Sequence, residues 1–447
     1  MRIRAGSDRL SSSVRRLMTR SLALGAVTAL TLGACSGAGD ESSAEGGGEG
    51  AAELTVWFNR DYAVPPDKFE TFHEEYPDIN VTYDVRPDDN ILPTLVEMRE
   101  AGEELPDIIQ DDSAVVPGYV QAELLHPLDD LVTRWEEEDP DSYEQLYPVV
   151  WEQGTFDGQI YQMALIANYD LLYYNVGWLE EAGVEPPFES WEEVYEVSQT
   201  LKEARPDSYP FTIQGDPRDG VTALLNQMIT SGVPFDGAVP ELTSEEGQYL
   251  IGWYQRMVAE GLISPEAVAW GEDEARGAFI GKRTALIIEG LNTAADFTET
   301  PNYDFGTDWA TTLLPISTTE DAEEGNYFVV PRGFSIVNGT EHPYEASLVL
   351  RYLADTEQAV GATVIGSSPP RQEEALTSSP ELDEFLPHFS QDMRPAYLEG
   401  IPNPPSSRFA EIEQVLGEML NGLVAGDDTP PAELAEQYQA QLDELRE

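Results

Sequence analysis

Between residues 53 and 125, short apolar segments alternate with segments of helical periodicity, and this alternation constrains the fold more than any other feature. The predicted order is strand, helix, strand, helix, strand, helix, with strands over residues 54–58, 80–85 and 106–110 and helices that begin at Pro65, Pro93 and Ala114. Such an order is typical of a parallel, doubly wound α/β sheet with helices on both faces. In such sheets ligands bind beyond the carboxyl ends of the strands. Those ends carry Asn59, Arg60, Asp61 and Tyr62 after the first strand, and Asp111 and Asp112 after the third.

The rest of the chain predicts further strands and helices without an internal repeat. Asp157 and Gly158 predict a hairpin turn, and a strand-rich run over residues 160–174 is interrupted at residues 168–170. Ser190 followed by Glu193 has the spacing of a capping box, which predicts a helix up to about residue 204. Further predicted strands cover residues 284–289, 327–330 and 334–337, and further predicted helices follow residue 243 and cover residues 272–280, 343–354, 407–424 and 431–445.

The first 52 residues have the composition of a secretory leader followed by a tether. Six arginines precede an apolar stretch over residues 21–34, which is shorter than the ~20 residues needed to span a bilayer. The stretch ends in the tetrapeptide Leu-Gly-Ala-Cys, which resembles a bacterial lipobox, and Cys35 is the only cysteine in 447 residues. We therefore expect a signal peptide over residues 1–34, lipid attachment at Cys35, and a flexible, lipid-anchored tether over residues 35–52. The alternative is an ordinary signal peptide with an incidental cysteine.

Acidic residues dominate the composition, with 84 acidic and 24 basic residues and a formal net charge of −60. This charge repels the phosphates of nucleic acids and anionic lipid surfaces, so we expect no nucleic-acid partner and membrane contact through the lipid anchor alone. Only three of the basic residues are lysines, which together with the acidic excess resembles the surface of a protein from a saline habitat. The alternative is a GC-rich genome that favours arginine codons, combined with a generally acidic surface. With 41% hydrophobic residues, the chain can bury the cores of two or three domains.

Motifs typical of nucleotide hydrolysis and metal catalysis do not fit this chain. The glycines of the segment from Gly277 to Thr284 are one residue too close for a phosphate loop, and Arg283 occupies the place of the hydroxyl that binds magnesium. The four histidines lack metal-ligand spacing, and no hydrolase nucleophile motif is present. Pairs of carboxylates arise by chance among 84 acidic residues and do not argue for a glycosidase. We therefore expect a protein that is not an enzyme and has no catalytic residue, cofactor or metal.

Several separated segments resemble one protein family in the same order along the chain. They are residues 105–109, 158–161, 172–175, 188–193, 278–290, 333–337 and 368–371. The most specific, AFIGKRTALIIEG over residues 278–290, is similar to a helix-to-strand segment of extracellular solute-binding proteins of carbohydrate ABC transporters. From residue 53 to its C-terminus the chain resembles these proteins, and in particular family 1, the maltose-binding-protein-like lipoproteins.

The resemblance implies a two-lobed, periplasmic-binding-protein-like α/β fold with several inter-lobe crossings and a central ligand cleft. The implied crossings fall near Leu165, Pro315 and Gly366, so that lobe 1 comprises residues 53–165 and 315–366 and lobe 2 comprises residues 166–314 and 367–447. The implied function is capture of a mono- or oligosaccharide and its delivery to the permease subunits of an ABC importer, which a separate ATPase powers. The implied location is the extracytoplasmic face of the cell membrane, and we expect a monomer.

The resemblance also implies a set of ligand-binding residues. Segments that reach the cleft in the family correspond here to Asn59, Arg60, Asp61, Tyr62, Asp111, Asp112, Asn168, Tyr169, Trp270, Glu289, Asn292, Arg332, Gly333 and Arg371. Asp111 and Asn292 lie where relatives stack aromatic side chains on sugars, which disfavours a maltodextrin ligand. Trp270 either replaces one of these rings or packs in the core, and Arg332 and Arg371 either contact the ligand or form surface ion pairs.

Two other functions stay open on the sequence alone. The same fold serves other polar solutes, such as a polyol, a glycerophosphodiester or a betaine-like osmolyte. The acidic pair Asp111 and Asp112 suits hydroxyl-rich or cationic ligands, whereas a phosphate requires more arginines at the cleft. The other function is that of a surface glycoside hydrolase, which turnover of chromogenic glycosides distinguishes from a binding protein.

Replacing Cys35 with alanine tests the lipid anchor. Without the thiol there is no site for acylation, so we expect Cys35→Ala to be released into the medium, whereas the wild-type protein partitions into membranes or detergent. Cell fractionation followed by immunoblotting measures the distribution. Equal partitioning of the two proteins contradicts the assignment.

Overall fold

The structure of the protein is a computed structural model that describes residues 50–58, 64–65, 67–86, 91–320, 322, 325–355, 400–402 and 406–446. These residues belong to one compact unit, Gly48–Glu447. Outside them lie the predicted leader, most of the tether, Cys35, Asn59, Arg60, Asp61, Tyr62, Arg371 and the crossing predicted near Gly366. None of the helices in the described ranges is both long enough and apolar enough to cross a membrane.

Strands and helices alternate along most of the described chain. The strands are β1 (Ala52–Phe58), β2 (Ile79–Val85), β3 (Ile108–Asp112), β4 (Thr155–Phe156), β5 (Gln159–Ile160), β6 (Met163–Asn168), β7 (Asp170–Asn175), β8 (Phe211–Thr212), β9 (Phe235–Asp236), β10 (Val239–Pro240), β11 (Leu286–Gly290), β12 (Trp309–Thr312), β13 (Phe328–Ile336) and β14 (Ile401–Pro402). The helices are α1 (Glu70–Glu75), α2 (Ile91–Ala101), α3 (Val116–Gln121), α4 (Asp129–Glu138), α5 (Pro140–Tyr143), α6 (Val149–Glu152), α7 (Val176–Ala182), α8 (Trp191–Ala204), α9 (Val221–Thr230), α10 (Glu245–Ala259), α11 (Glu272–Ile280), α12 (Thr293–Glu299), α13 (Pro343–Leu353), α14 (Phe409–Val424) and α15 (Pro431–Asp443).

Strands β1, β2 and β3 form the parallel part of the first sheet, which confirms the parallel pairing that their order predicts. β1 pairs along its whole length with β2 on one edge, and Val56 and Trp57 pair with β3 on the other. β13 runs antiparallel between β3 and β6, and Arg332 lies opposite a residue of each. The described strands of this sheet follow the order β14, β13, β3, β1, β2, with β6 also paired to β13.

Strands β7 and β11 lie at the centre of the second sheet, whose described strands follow the order β12, β7, β11, β8. The chain reaches this sheet through Tyr169, the single residue between β6 and β7. It returns to the first sheet between β12 and β13. α13 packs in the core beside the first sheet, with Phe58 and Phe334, and this is called the first core. α14 packs in the core beside the second sheet, with Trp191 and Trp253, and this is called the second core. The chain therefore passes between the lobes once more after α13.

One continuous strand, β13, replaces the two strands predicted over residues 327–330 and 334–337. Proline cannot donate a hydrogen bond to a neighbouring strand. From sequence alone, Pro331 therefore predicts an interruption between two strands. In the structure the pairing with β6 shifts its register between Arg332 and Phe334, and this irregularity beside the proline lets the strand continue. The prediction of two strands is therefore wrong.

Aromatic side chains and a capped helix organise the second core. Trp191 and Trp253 meet edge to face with 5.8 Å between ring centroids, and the Trp253 indole donates to the Trp191 carbonyl at 2.8 Å. The hydrogen bond satisfies the only polar atom of a fully buried side chain. Ser190 accepts a hydrogen bond from the Glu193 N–H at 3.2 Å, which confirms the predicted start of α8.

Replacing Gly333 tests the close approach of β13 to β6. A Cβ at this position would lie within 3.0 Å of the Met163 carbonyl oxygen, so the strands must separate to accept it. We expect Gly333→Ala to lower the free energy of unfolding by about 1–3 kcal/mol. Gly277→Ala is the control, because Gly277 lies within α11 and the added methyl group has no atom within 4 Å apart from the neighbouring residues and backbone of its own helix. Chemical denaturation of both variants measures the difference, and equal stabilities contradict the prediction.

Candidate functional site

Polar residues gather where the ends of the two sheets meet. β3 and β6 end at Asp112 and Asn168, and β7 of the second sheet begins at Asp170 beside the end of β11. Because Tyr169 alone separates β6 from β7, these edges face each other across a short connection. The inter-sheet site is defined here by Asp111, Asp112, Asn168, Asp170, Glu289, Asn292 and Arg332.

Asp111 and Asp112 are adjacent carboxylates at the end of β3. The Tyr119 hydroxyl donates to Asp111 Oδ2 at 2.5 Å, and the Asp112 N–H donates to Asp111 Oδ1 at 2.8 Å. Buried Gln162 donates from Nε2 to the Asp111 carbonyl oxygen at 3.0 Å. Burial and the neighbouring charge of Asp112 raise the pKa of Asp111 to about 6, although the Tyr119 hydrogen bond opposes this rise. Protein groups therefore fix the orientation of the Asp111 carboxyl.

Arg332 and Asp112 form an ion pair across β13 and β3. The two residues are directly opposite each other in the strand register, and Arg332 Nε lies 2.5 Å from Asp112 Oδ1. The side chains are 14% and 32% exposed, so the pair is partly shielded from water. Gly333, the next residue, lies opposite Asp111 and is buried. It thus contributes backbone, not a side chain, to this edge of the sheet.

Asn168 and Asn292 connect the end of β6 to the segment that follows β11. Asn168 Nδ2 donates to Asn292 Oδ1 at 2.8 Å, and the Leu291 N–H donates to Asn168 Oδ1 at 3.0 Å. Gly290 permits this arrangement, because a Cβ there would lie within 3.0 Å of both amide groups. Two amides that the sequence places far apart are therefore joined directly.

Glu289 is buried and bound by several protein donors. Arg276 Nε and Nη2 donate to Oε2 at 2.9 and 2.8 Å, Thr293 Oγ1 donates to the same oxygen at 2.9 Å, and Gln214 Nε2 donates to Oε1 at 2.7 Å. Burial raises the pKa of Glu289, and the charge of Arg276 opposes this. Glu289 is thus occupied by its neighbours and holds the Gln214 side chain in place.

Asp170, the first residue of β7, is a site residue that the sequence did not single out. Burial and the charge of Glu289 raise the pKa of Asp170 to about 7, while Asn226 and Arg276 lower it. Gln214 and Arg276 were also not predicted, since Gln214 follows a strand of only two residues and Arg276 lies within a helix. The one available signal was the position of Asp170 at a strand end beside Asn168.

Tyr169 and Trp270, the aromatic candidates in the described chain, pack inside. Tyr169 is 1% exposed and lies with Leu171 and Phe297 in the core on one face of the second sheet. Trp270 is 8% exposed, and the Arg283 guanidinium lies 5.3 Å from its ring centroid. Little of either ring is exposed for stacking in this structure.

Comparison with known proteins identifies the class. Residues 59–360 match the family model described as "Bacterial extracellular solute-binding protein", and the chain belongs to this family. The fold and family are those of transport proteins that bind a small solute and deliver it to the permease of an ABC importer, outside the cytoplasm.

Solved structures share the fold at low sequence identity. Maltose-bound MalE3 of T. maritima is 19% identical, with a TM-score of 0.72 over 88% of this chain and 100% of that chain. A solute-binding protein of Agrobacterium radiobacter in complex with ribitol is 18% identical, with a TM-score of 0.72 over 89% and 99%. UgpB of Mycobacterium tuberculosis in complex with glycerophosphocholine is 15% identical, with a TM-score of 0.70 over 89% and 98%. The predicted two-lobed α/β fold is confirmed.

Arg276 and Glu289 form a buried ion pair at the edge of the second sheet, and breaking it tests how much the pair stabilises the fold. Arg276→Met leaves Glu289 buried without its cation, and we expect a loss of about 3–5 kcal/mol in the free energy of unfolding. Adding Glu289→Gln removes the unpaired charge and is expected to recover part of this loss.

Arg218→Met is the matched control for Arg276→Met, because Arg218 is 88% exposed and lies 3.6 Å from Asp216. We expect its effect to stay within about 0.5 kcal/mol. Urea denaturation measures all variants. A small effect of Arg276→Met, or a double variant less stable than Arg276→Met, contradicts the role given to the pair.

Proposed function

We propose that this solute-binding protein captures a carbohydrate, a mono- or oligosaccharide, at the inter-sheet site and delivers it to its permease. The observation that carries the proposal is the mixture of groups at the site. Carboxylates such as Asp111 accept hydrogen bonds, the amides of Asn168 and Asn292 both donate and accept, and Arg332 donates. Sugar hydroxyls require this combination, because each hydroxyl both donates and accepts.

The charge balance at the site favours a neutral solute over a phosphodiester. Asp111, Asp112, Asp170 and Glu289 are offset by Arg332 and Arg276, and Arg276 is bound to Glu289. Anionic ligands are bound by clusters of arginines and N–H groups, which the described part of the site does not offer in excess. A polyol fits the same groups as a sugar. A glycerophosphodiester fits less well because of its phosphate. A betaine-like osmolyte suits the acidic groups but has no hydroxyls, and both its quaternary ammonium and the sugar rings of a maltodextrin require exposed aromatic side chains, whereas Tyr169 and Trp270 are buried.

We propose that Asn59, Arg60, Asp61, Tyr62 and Arg371 complete the site from segments that border it in the family. The proposed lobes comprise residues 53–165 with 315–366 and residues 166–314 with 367–447. The passage of the chain at Tyr169 and its return between β12 and β13 support these boundaries. We further propose that the protein is a monomer, is acylated at Cys35 after loss of residues 1–34, and is held at the outer face of the cell membrane by the tether.

A thermal-shift panel tests the proposed function. The probes are maltose, α-D-tagatose, ribitol, glycerophosphocholine and glycine betaine, each titrated to saturation. Binding to the native state stabilises it by about 2.7 kcal/mol when the ligand reaches 100 times its Kd. We expect a saturable rise in Tm with a sugar, a weak response to maltose, and a smaller rise in Asp111→Ala and Asn168→Ala.

Asp273→Ala is the control, because Asp273 is an exposed carboxylate on the first turn of α11. It is expected to respond to each probe as the wild-type protein does. If glycerophosphocholine or betaine raises the Tm and neither a sugar nor ribitol does, the bound solute belongs to those classes and is not a carbohydrate. If the protein hydrolyses chromogenic glycosides, and substitution of one carboxylate abolishes this turnover, the assignment as a transport protein is wrong.

A further inference from the structure

Asp170 lies at the edge of the second sheet that faces the first. It is opposite Gly290 in the strand register and two residues beyond Asn168. Its side chain is partly exposed, whereas Leu171, Leu172 and Tyr173, the next three residues of β7, are each 0% exposed. At the start of the strand, Asp170 therefore retains partial exposure that the next three residues lack.

A carboxylate at this position is electrostatically unfavourable. Glu289 and Glu272 both oppose its ionisation, and the nearby cation Arg276 donates two hydrogen bonds to Glu289. A neutral residue would relieve this repulsion. Groups held at an energetic cost in a cleft are candidates for ligand contact, because the cost is recovered when the ligand binds.

Asn226, from α9, is a buried amide close to the Asp170 carboxyl, and it favours the ionised form by hydrogen bonding. Its side chain is 1% exposed and close enough to lower the pKa of Asp170, yet Nδ2 makes no hydrogen bond of normal geometry within the described chain. A buried amide without a well-formed partner is costly. A small shift of the Asp170 carboxylate as it engages a ligand donor would allow Asn226 to complete its hydrogen bond.

We propose that Asp170 is a specificity-determining residue that accepts a hydrogen bond from a hydroxyl of the bound solute, and that Asn226 is the positioning residue that holds its carboxylate. This inference rests on the proposed function and adds the hydroxyl contact on the second sheet. The first sheet offers Asp111 and the second offers Asp170, so one polyhydroxylated solute is held from both sides. A deoxy analogue that lacks the contacting hydroxyl binds less well for this reason.

Calorimetric titration with α-D-tagatose, ribitol and maltose tests the contact in the full chain. For each probe that the wild-type protein binds, we expect Asp170→Asn to weaken binding about tenfold, since a charge-assisted hydrogen bond becomes a neutral one. Asp273→Asn, on the exposed surface of α11, is expected to bind as the wild type does.

Stability measured on the same proteins separates ligand contact from a structural role. A carboxyl with a raised pKa stabilises the fold fully below its unfolded value near 4, and this stability is lost as the pH rises through about 7. At pH 8 we therefore expect Asp170→Asn to melt at a higher temperature than the wild type while binding less tightly. A structural role predicts a loss of both.

The pH profile of binding tests the part played by Asn226. Glu289, Glu272, Arg276 and Asn226 are the groups that act on the Asp170 carboxyl, and Asn226→Leu removes one that favours ionisation. We expect weaker binding near pH 7 that recovers toward pH 9, and no such recovery in Asp170→Asn.

The outcomes distinguish this inference from the proposed function. Unchanged affinity in Asp170→Asn overturns the contact and leaves carbohydrate capture intact. Unchanged pH dependence in Asn226→Leu overturns the positioning role. Failure of the wild-type protein to bind any of the three probes overturns the proposed function, and the inference with it.

Discussion

The rest of the structure depends on β13, because this one strand belongs to both halves of the molecule. Its hydrogen bonds are those of the first sheet, and it places Arg332 opposite Asp112 and Val330 opposite Asn168. Its first residues, Phe328 to Val330, pack in the cores around the second sheet, while Phe334 and Ile336 pack in the first core. The close approach at Gly333 fixes the register. A shift of one residue would exchange its faces and separate the groups of the inter-sheet site.

The local sequence was sufficient to predict much of the fold. The apolar runs of β1 and β3, the capped start of α8 and the whole of α11 follow from periodicity and end signals, since each has one buried face or a recognisable cap. α9 could not be predicted in this way. Nearly all of its residues are buried, so the helical alternation of polar and apolar positions is lost. The continuous course of β13 also depends on its neighbours, because only the pairing with β6 reveals how Pro331 is accommodated.

The candidate site was only partly predictable. Predicted strand ends pointed to Asp111, Asp112 and Asn168. The predicted third strand ended at residue 110, whereas β3 ends at Asp112, so Asp111 and Asp112 are its last two residues and do not follow it. The partners of these residues did not follow from the sequence. Arg276 lies 13 residues before Glu289 in the sequence, and Gln214 lies 75 before it, and only the fold brings them together. Whether the Tyr169 ring is buried or exposed for stacking on a ligand also depends on segments far along the chain. In the structure these segments bury it.

The single-residue connection at Tyr169 has a mechanical consequence. Asn168 and Asp170 lie on either side of it, one at the end of each sheet, so at this one of the crossings a change in the angle between the sheets involves very few backbone dihedrals, all close to these two side chains. A solute that contacts both side chains therefore binds close to the axis about which the sheets rotate. There a small displacement of the side chains corresponds to a large rotation of one sheet relative to the other. The distance between the Asn168 and Asp170 side chains would then follow the angle between the two sheets. A solute that fixes this distance would fix the conformation that the permease recognises.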